Sequence, residues 1–166
     1  MQSLVVLGLG SNRGNSHEIL SGAIQDLREE LSCLKASSFY ATKPQENIFQ
    51  DGFLNMVVIG YFSGTPRELL AKTAKIETRY GRNREQESEK GPRTLDIDIE
   101  LFGTLRVHEP NLIIPHERLH FRQFVLIPLL ELLPDYADPV TGELFKDLCA
   151  RLPDQGVKKA GIHYGN

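Results

Sequence analysis

Apolar residues recur along this chain in two rhythms, and each predicts a different kind of element. Ser3 to Leu9 is a nearly continuous apolar run that closes on glycines, the pattern of a buried first strand. From Ser16 onward Leu20, Ile24, Leu27 and Leu31 return at helical spacing, and Glu18 stands where it forms a reciprocal cap with Asn15. Ala36 to Thr42 reads as a strand, and Phe53 to Phe62, rich in Val, Ile and aromatics, as another. The polar connection Lys43 to Gly52 between them is too long for a tight hairpin. Thr65-Pro66-Arg67-Glu68 opens a second helix with a cap, a proline at its first position and a capping box. That helix carries Leu69, Leu70, Thr73, Ile76 and Tyr80, and Gly81 ends it.

A second polar loop, Arg82 to Thr94, leads into a stretch of strict alternation. The order is therefore strand, helix, strand, strand, helix, strand. This predicts an α+β fold, a ferredoxin-like βαββαβ antiparallel sheet with its helices on one face. Beyond it lie a short apolar stretch from Leu112 to Ile114, a helix from about Arg122 to Leu133, a turn near Asp138 to Gly142 and a short helix around Glu143 to Arg151. With no repeat, linker or low-complexity segment, residues 1–166 read as a single domain with a C-terminal elaboration.

The alternating stretch holds the most informative chemistry. Leu95, Ile97, Ile99 and Leu101 fall on one strand face, and Asp96, Asp98 and Glu100 on the other. Carboxylates two residues apart on a strand lie roughly 7 Å from one another, and their repulsion is relieved by a hard divalent cation, magnesium above all. An edge strand with a solvated acidic face is the alternative. The preceding loop supplies Arg82, Arg84, Lys90 and Arg93. A charged loop of this kind is ordinarily only solvated, but beside a metal-competent strand it suits a mobile clamp on a metal-bound triphosphate.

Three further motifs carry candidate chemistry. Gly8 to Gly14 superficially resembles a dinucleotide-binding turn, but its spacing is off by one residue and no acidic residue ends a second parallel strand. Its glycines, Gly10 included, either make the turn or let backbone approach a flat ligand. His116-Glu117-Arg118-Leu119-His120 matches the zinc-protease pattern, and Glu131 is the one nearby candidate for a third ligand, so a zinc hydrolase on His116 and His120 is a competing reading. Thr42, Pro44 and Gln45, with Phe53 and Asn55, combine a polar rim, an aromatic ring and an amide. A buried amide reads a nitrogen heterocycle by paired hydrogen bonds, and Phe53 and Phe124 would sandwich its ring, unless both are core.

Composition narrows the field. The chain is 40% hydrophobic and 25% charged, an ordinary globular mixture, and its net charge of -3 argues against nucleic acid as a partner. Cys33, at an expected helix end, and Cys149 form no ligand pair and read as reduced thiols, and the apolar run Leu4 to Leu9 is too short to span a bilayer. The expectation is a cytoplasmic protein without a membrane partner.

Gly10-Ser11-Asn12, Ser38 to Pro44, Phe53-Leu54-Asn55, Gly91 to Asp98 and Pro115-His116 through Leu126 together resemble the 6-hydroxymethyl-7,8-dihydropterin pyrophosphokinase family of folate biosynthesis, over about residues 5–135. The resemblance implies transfer of pyrophosphate from ATP to the pterin hydroxymethyl group, with release of AMP. It implies that Asp96 and Asp98 hold two Mg2+ ions, that Arg82 and Arg93 stabilise charge at the transferring group, and that Arg84 and Lys90 close over it. Pterin would meet Gly10, Thr42, Pro44, Gln45, Phe53, Asn55 and Phe124. ATP would meet Glu77, Ile99, His116 and Arg122. A monomer is implied as well. The chain departs from the family's best-known members at Glu85 and Lys90 in the loop, at Phe53 where Tyr is common, and at Ile113 where Thr often contacts the nucleotide. A pterin-binding homologue with impaired catalysis is therefore a second reading.

Overall fold

The computed structural model describes residues 1–42, 52–82 and 94–161. Its elements are β1 (Ser3–Ser11), α1 (Ser16–Glu30), β2 (Ser32–Ala36), β3 (Phe39–Thr42), β4 (Phe53–Phe62), α2 (Pro66–Arg79), β5 (Asp96–Phe102), β6 (Val107–Glu109), β7 (Leu112–Ile114), α3 (Gln123–Leu132), α4 (Phe145–Arg151) and β8 (Lys158–Gly161). The main sheet runs in the order β5-β1-β4-β3-β8, with β2 also pairing β4, and each of these pairings is antiparallel. This is the expected α+β arrangement.

Local chemistry fixes the helix starts. Asn15 accepts a hydrogen bond from the Glu18 N–H at 3.3 Å. Thr65 and Glu68 form the full capping box, the Thr65 N–H donating to Glu68 at 2.8 Å and the Glu68 N–H to Thr65 at 3.2 Å. Leu20, Ile24 and Leu27 of α1 and Leu69 and Ile76 of α2 bury their apolar stripes against Val5, Leu7, Leu9, Met56, Val58, Ile97 and Ile99 of the sheet.

The opposite face divides into two regions. Val6, Val57, Ile59 and Leu101 are covered by Leu119, by Val125, Leu126 and Leu129 of α3 and by Phe145 and Leu148 of α4. The C-terminal elaboration thus completes a second core. At the other end of that face β1 carries Gly8 and Gly10, β4 carries Asn55, and β5 carries Asp96 and Asp98. Two glycines and three polar residues cannot anchor an apolar helix, so the cover gives way to a polar floor.

Several expectations need correction. Leu101 was expected on the core face with Leu95, Ile97 and Ile99, but it packs in the second cluster. The cause is a β-bulge: Leu7 pairs with Ile99 while Val6 pairs with Leu101, which leaves Glu100 without a residue opposite and flips the alternation beyond it. The strand expected over Ala36 to Thr42 is broken at Ser37-Ser38, and β2 precedes the break. Buried Ser37 hydrogen-bonds Val57 both ways, its N–H donating to Val57 O at 2.8 Å and its Oγ accepting from Val57 N–H at 2.9 Å. Cys33, expected at a helix end, lies in β2 with a φ of 53°. Strand β8 gave no sequence signal because it joins β3 through backbone while its side chains stay largely exposed.

Candidate active site

The floor of the site is built by register. Gly10 lies opposite Asp96 on one side and Asn55 on the other, and Gly8 lies opposite Asp98. Residues directly opposite share a face, so Asp96, Asp98 and Asn55 surround two positions that lack side chains. The glycines are required by their neighbours. A Cβ at position 10 would come within 2.9 Å of Asn55 Oδ1, and one at position 8 within 2.7 Å of Glu100 Oε1.

Asn55 is buried and its Nδ2 donates to Thr42 Oγ1 at 2.9 Å, which fixes the plane of the amide. Phe53, paired with Thr42 in the register, is half-buried and belongs to neither core cluster of the described residues. Phe124 is also half-buried; it packs against the second cluster and carries the Arg122 guanidinium 5.2 Å from its ring centroid. Phe124 thus links the second core to Arg122.

On the acidic side, Arg82 follows Gly81, which ends α2 with a φ of 86°. Arg82 Nη1 donates to Asp96 Oδ1 at 3.0 Å and to Leu95 O at 3.1 Å, and its side chain is only 7% exposed. The guanidinium is therefore held in place by the start of β5. Asp98 faces His116 Nε2 and Arg122 Nη1, each 3.7 Å from its Oδ2. The His116 N–H donates to Glu100 O at 2.9 Å and its Nδ1 accepts from the Arg118 N–H at 3.1 Å. Burial, reinforced by the positive charge of Arg122, holds the His116 imidazole below its usual pKa.

Glu77 reaches β5 from the helix side. It is 2% exposed, and its Oε2 accepts from the Ile97 N–H at 2.9 Å, between the two aspartates in sequence. Ile99 is a core residue of β5, an edge strand whose outward backbone groups do not pair with β1. Arg93, Pro44, Gln45, Arg84 and Lys90, with Glu85, lie outside the described residues.

The zinc constellation does not assemble. His116 and His120 do not share a helix face, because this segment folds only as the short 3-10 turn Leu119–Phe121. His116 faces Asp98, whereas His120 pairs with buried Asp138. Both Glu131 oxygens are engaged: they accept from the Ser38 N–H at 3.1 Å, from Ser38 Oγ at 2.6 Å and from Tyr40 Oη at 2.7 Å. These donors outweigh the effect of burial and keep the Glu131 carboxyl below its usual value.

Sequence reasoning placed Glu100 on the acidic face without assigning it to the site. It is 0% exposed, and neither carboxylate oxygen has a hydrogen-bond partner among the described residues. Burial, then the neighbouring Asp98 charge, pushes its pKa well above the ordinary range. Only the bulge, which alternation does not show, could have singled it out. Asp96 and Asp98, two hard oxygen donors on one face, fit a hard divalent cation that keeps much of its water shell, with the orphaned Glu100 carboxyl behind them.

The fold and the floor define a chain that presents paired carboxylates, buried arginine and a fixed amide at one end of an antiparallel sheet. A family model for 7,8-dihydro-6-hydroxymethylpterin-pyrophosphokinase (HPPK) matches residues 6–134, and the chain belongs to that family. It is 36% identical over 155 residues to a 2-amino-4-hydroxy-6-hydroxymethyldihydropteridine pyrophosphokinase of Methylorubrum extorquens, covering 92% of this chain and 96% of that one. It is 40% identical over 134 residues to the Bacillus subtilis protein of the same name, covering 80% of this chain and 79% of that one. The crystal structure of wild-type Plasmodium falciparum HPPK-DHPS shares the fold with a TM-score of 0.71 at 17% identity. That match covers 91% of this chain but 45% of the longer one.

Proposed function

We propose that this chain transfers the pyrophosphoryl group of ATP to the hydroxymethyl oxygen of 6-hydroxymethyl-7,8-dihydropterin, releasing AMP, with Asp96 and Asp98 holding two magnesium ions. The single observation that carries this reading is the pair Asp96 and Asp98 on one face, opposite glycines, with Arg82 and Arg122 beside them and Asn55 across the floor.

As the pterin hydroxyl gives up its proton to solvent, its oxygen bonds the β-phosphorus, and the bond from that phosphorus to the α-phosphate bridging oxygen breaks, its electron pair leaving with AMP. Magnesium held by Asp96 and Asp98 would offset phosphate charge near the β-phosphorus. The protein's share is positioning and electrostatics. Arg82, already oriented by Asp96 and Leu95, needs little reorganisation to stabilise charge at the transferring group. Arg122 and a neutral His116 line the nucleotide side, and outward backbone near Ile99 is available to its base. Asn55 spends one donor on Thr42 and keeps its other groups for the pterin edge. Phe53 and Phe124 flank the ring. The family resemblance assigns Arg93 to charge stabilisation, Arg84 and Lys90 to closing over the transferring group, and Pro44 and Gln45 to the pterin; all five lie outside the described residues.

We read residues 1–166 as one domain acting as a cytoplasmic monomer. Among the described residues no helix is long and apolar enough to cross a membrane. AMP release from ATP in the presence of magnesium and hydroxymethyldihydropterin supports this reading, and its absence favours the catalytically impaired pterin-binding homologue.

A further inference from the structure

Among the described residues the buried Glu100 carboxyl meets no hydrogen-bond donor, and such burial is costly unless a bound group supplies one. Two features locate that group. The β-bulge leaves Glu100 on the site face with no residue opposite it, and its Oε1 lies 2.7 Å from where a Gly8 Cβ would stand. Gly8 is directly opposite Asp98, so the Glu100 carboxylate fills the glycine's vacant volume at the level of Asp98. Its backbone also fixes the rim, since Glu100 O accepts from the His116 N–H at 2.9 Å. The charges acting on it are those of Asp98, Arg122 and Asp96, all members of the site.

Among the described residues no three His, Cys, Asp or Glu side chains converge closely enough to hold an ion by themselves. Glu100 is therefore one step removed from direct ligation. We propose that Glu100 is a positioning residue of the cation site, its buried carboxyl oxygen accepting a hydrogen bond from a water in the cation's shell beneath Asp98. The proposal rests on the magnesium reading of Asp96 and Asp98. Groups that orient a metal's immediate ligands and waters affect affinity about 10- to 100-fold.

The test is Mn2+ binding to the full chain in the presence of a nonhydrolysable ATP analogue, followed by electron paramagnetic resonance, with metal-free melting recorded alongside. Glu100→Gln keeps the shape and removes the charge; Glu100→Met fills the volume with an apolar chain. Both are expected to weaken Mn2+ binding about tenfold or more, while the metal-free Glu100→Met protein melts no lower than the parent because a buried unpartnered carboxylate is gone. Mn2+ affinities within about twofold of the parent in both variants overturn the proposal, as does weakening confined to a variant whose metal-free melting also falls. Asp98→Asn separates the two readings. Undiminished Mn2+ binding in that variant overturns the magnesium assignment and this proposal together, whereas weakening there with none at Glu100 overturns only the role of Glu100.

Discussion

Gly10 and Asn55 face each other across β1 and β4 so closely that a single added methyl carbon at position 10 would lie 2.9 Å from Asn55 Oδ1. Asn55 has little freedom to retreat, because its Nδ2 is bonded to Thr42. Gly10→Ala is therefore expected to displace the amide that the proposed function assigns to the pterin edge. The expected result is a pterin affinity weakened about tenfold, with about 1–3 kcal/mol of stability lost to overpacking. Fluorescence titration with the pterin and urea melting check the two halves separately. Unchanged pterin affinity would remove Asn55 from the recognition account.

His116 is expected to titrate below its usual value of 6.5, because burial and Arg122 both disfavour the imidazolium. Arg122→Ala removes the smaller cause and leaves the larger, so the midpoint should rise toward 6.5 without reaching it. NMR of the His116 ring protons follows this directly. The sign for stability follows from the depressed pKa: the unfolded chain binds the extra proton first. His116 therefore costs no stability above 6.5 and penalises the fold as pH falls from there through its folded value. An Arg122→Ala midpoint lower than the parent's would contradict the proximity of the two groups.

Glu131 ties α3 to the Ser37-Ser38 break through Ser38 and Tyr40. Its carboxyl is held low, so its contribution is present above about 4.5 and is lost as pH falls through the folded value. Because Glu131 is exposed to screening by solvent, Glu131→Gln should cost no more than about 1 kcal/mol at neutral pH and progressively less in acid. Paired urea melts at pH 7 and in acid test this; a cost that does not shrink in acid would point to lost packing rather than charge. The same carboxylate keeps the Tyr40 hydroxyl, already hindered by burial, from ionising.

The elements that could be foreseen were those whose cause is local. Thr65 and Glu68 name the start of α2 because a capping box is completed within one turn, and Phe53 to Phe62 marks β4 because β-branched and aromatic residues fill both its faces. That Asp96 and Asp98 share a face was legible from strand alternation alone, and the register agrees, whereas Asn55 stood out as an amide at the start of an apolar strand. What escaped depends on partners distant in sequence. The bulge at Glu100 is defined only against β1, the break at Ser37 only against Val57, and β8 only against β3. The tie from Glu77 to the Ile97 N–H likewise needs the helix and strand to be docked. The zinc-protease pattern at His116 to His120 misled because its meaning requires a helix that this segment does not form.

The most direct test of the central claim compares AMP release by the parent chain with that of Asp96→Ala and Asp98→Ala at saturating magnesium, ATP and pterin, with pterin binding measured on the same samples. Turnover should fall by about a hundredfold or more in either variant, on the scale of losing a principal electrostatic element, while pterin binding and the fold survive. Undiminished AMP release from either variant would contradict the account.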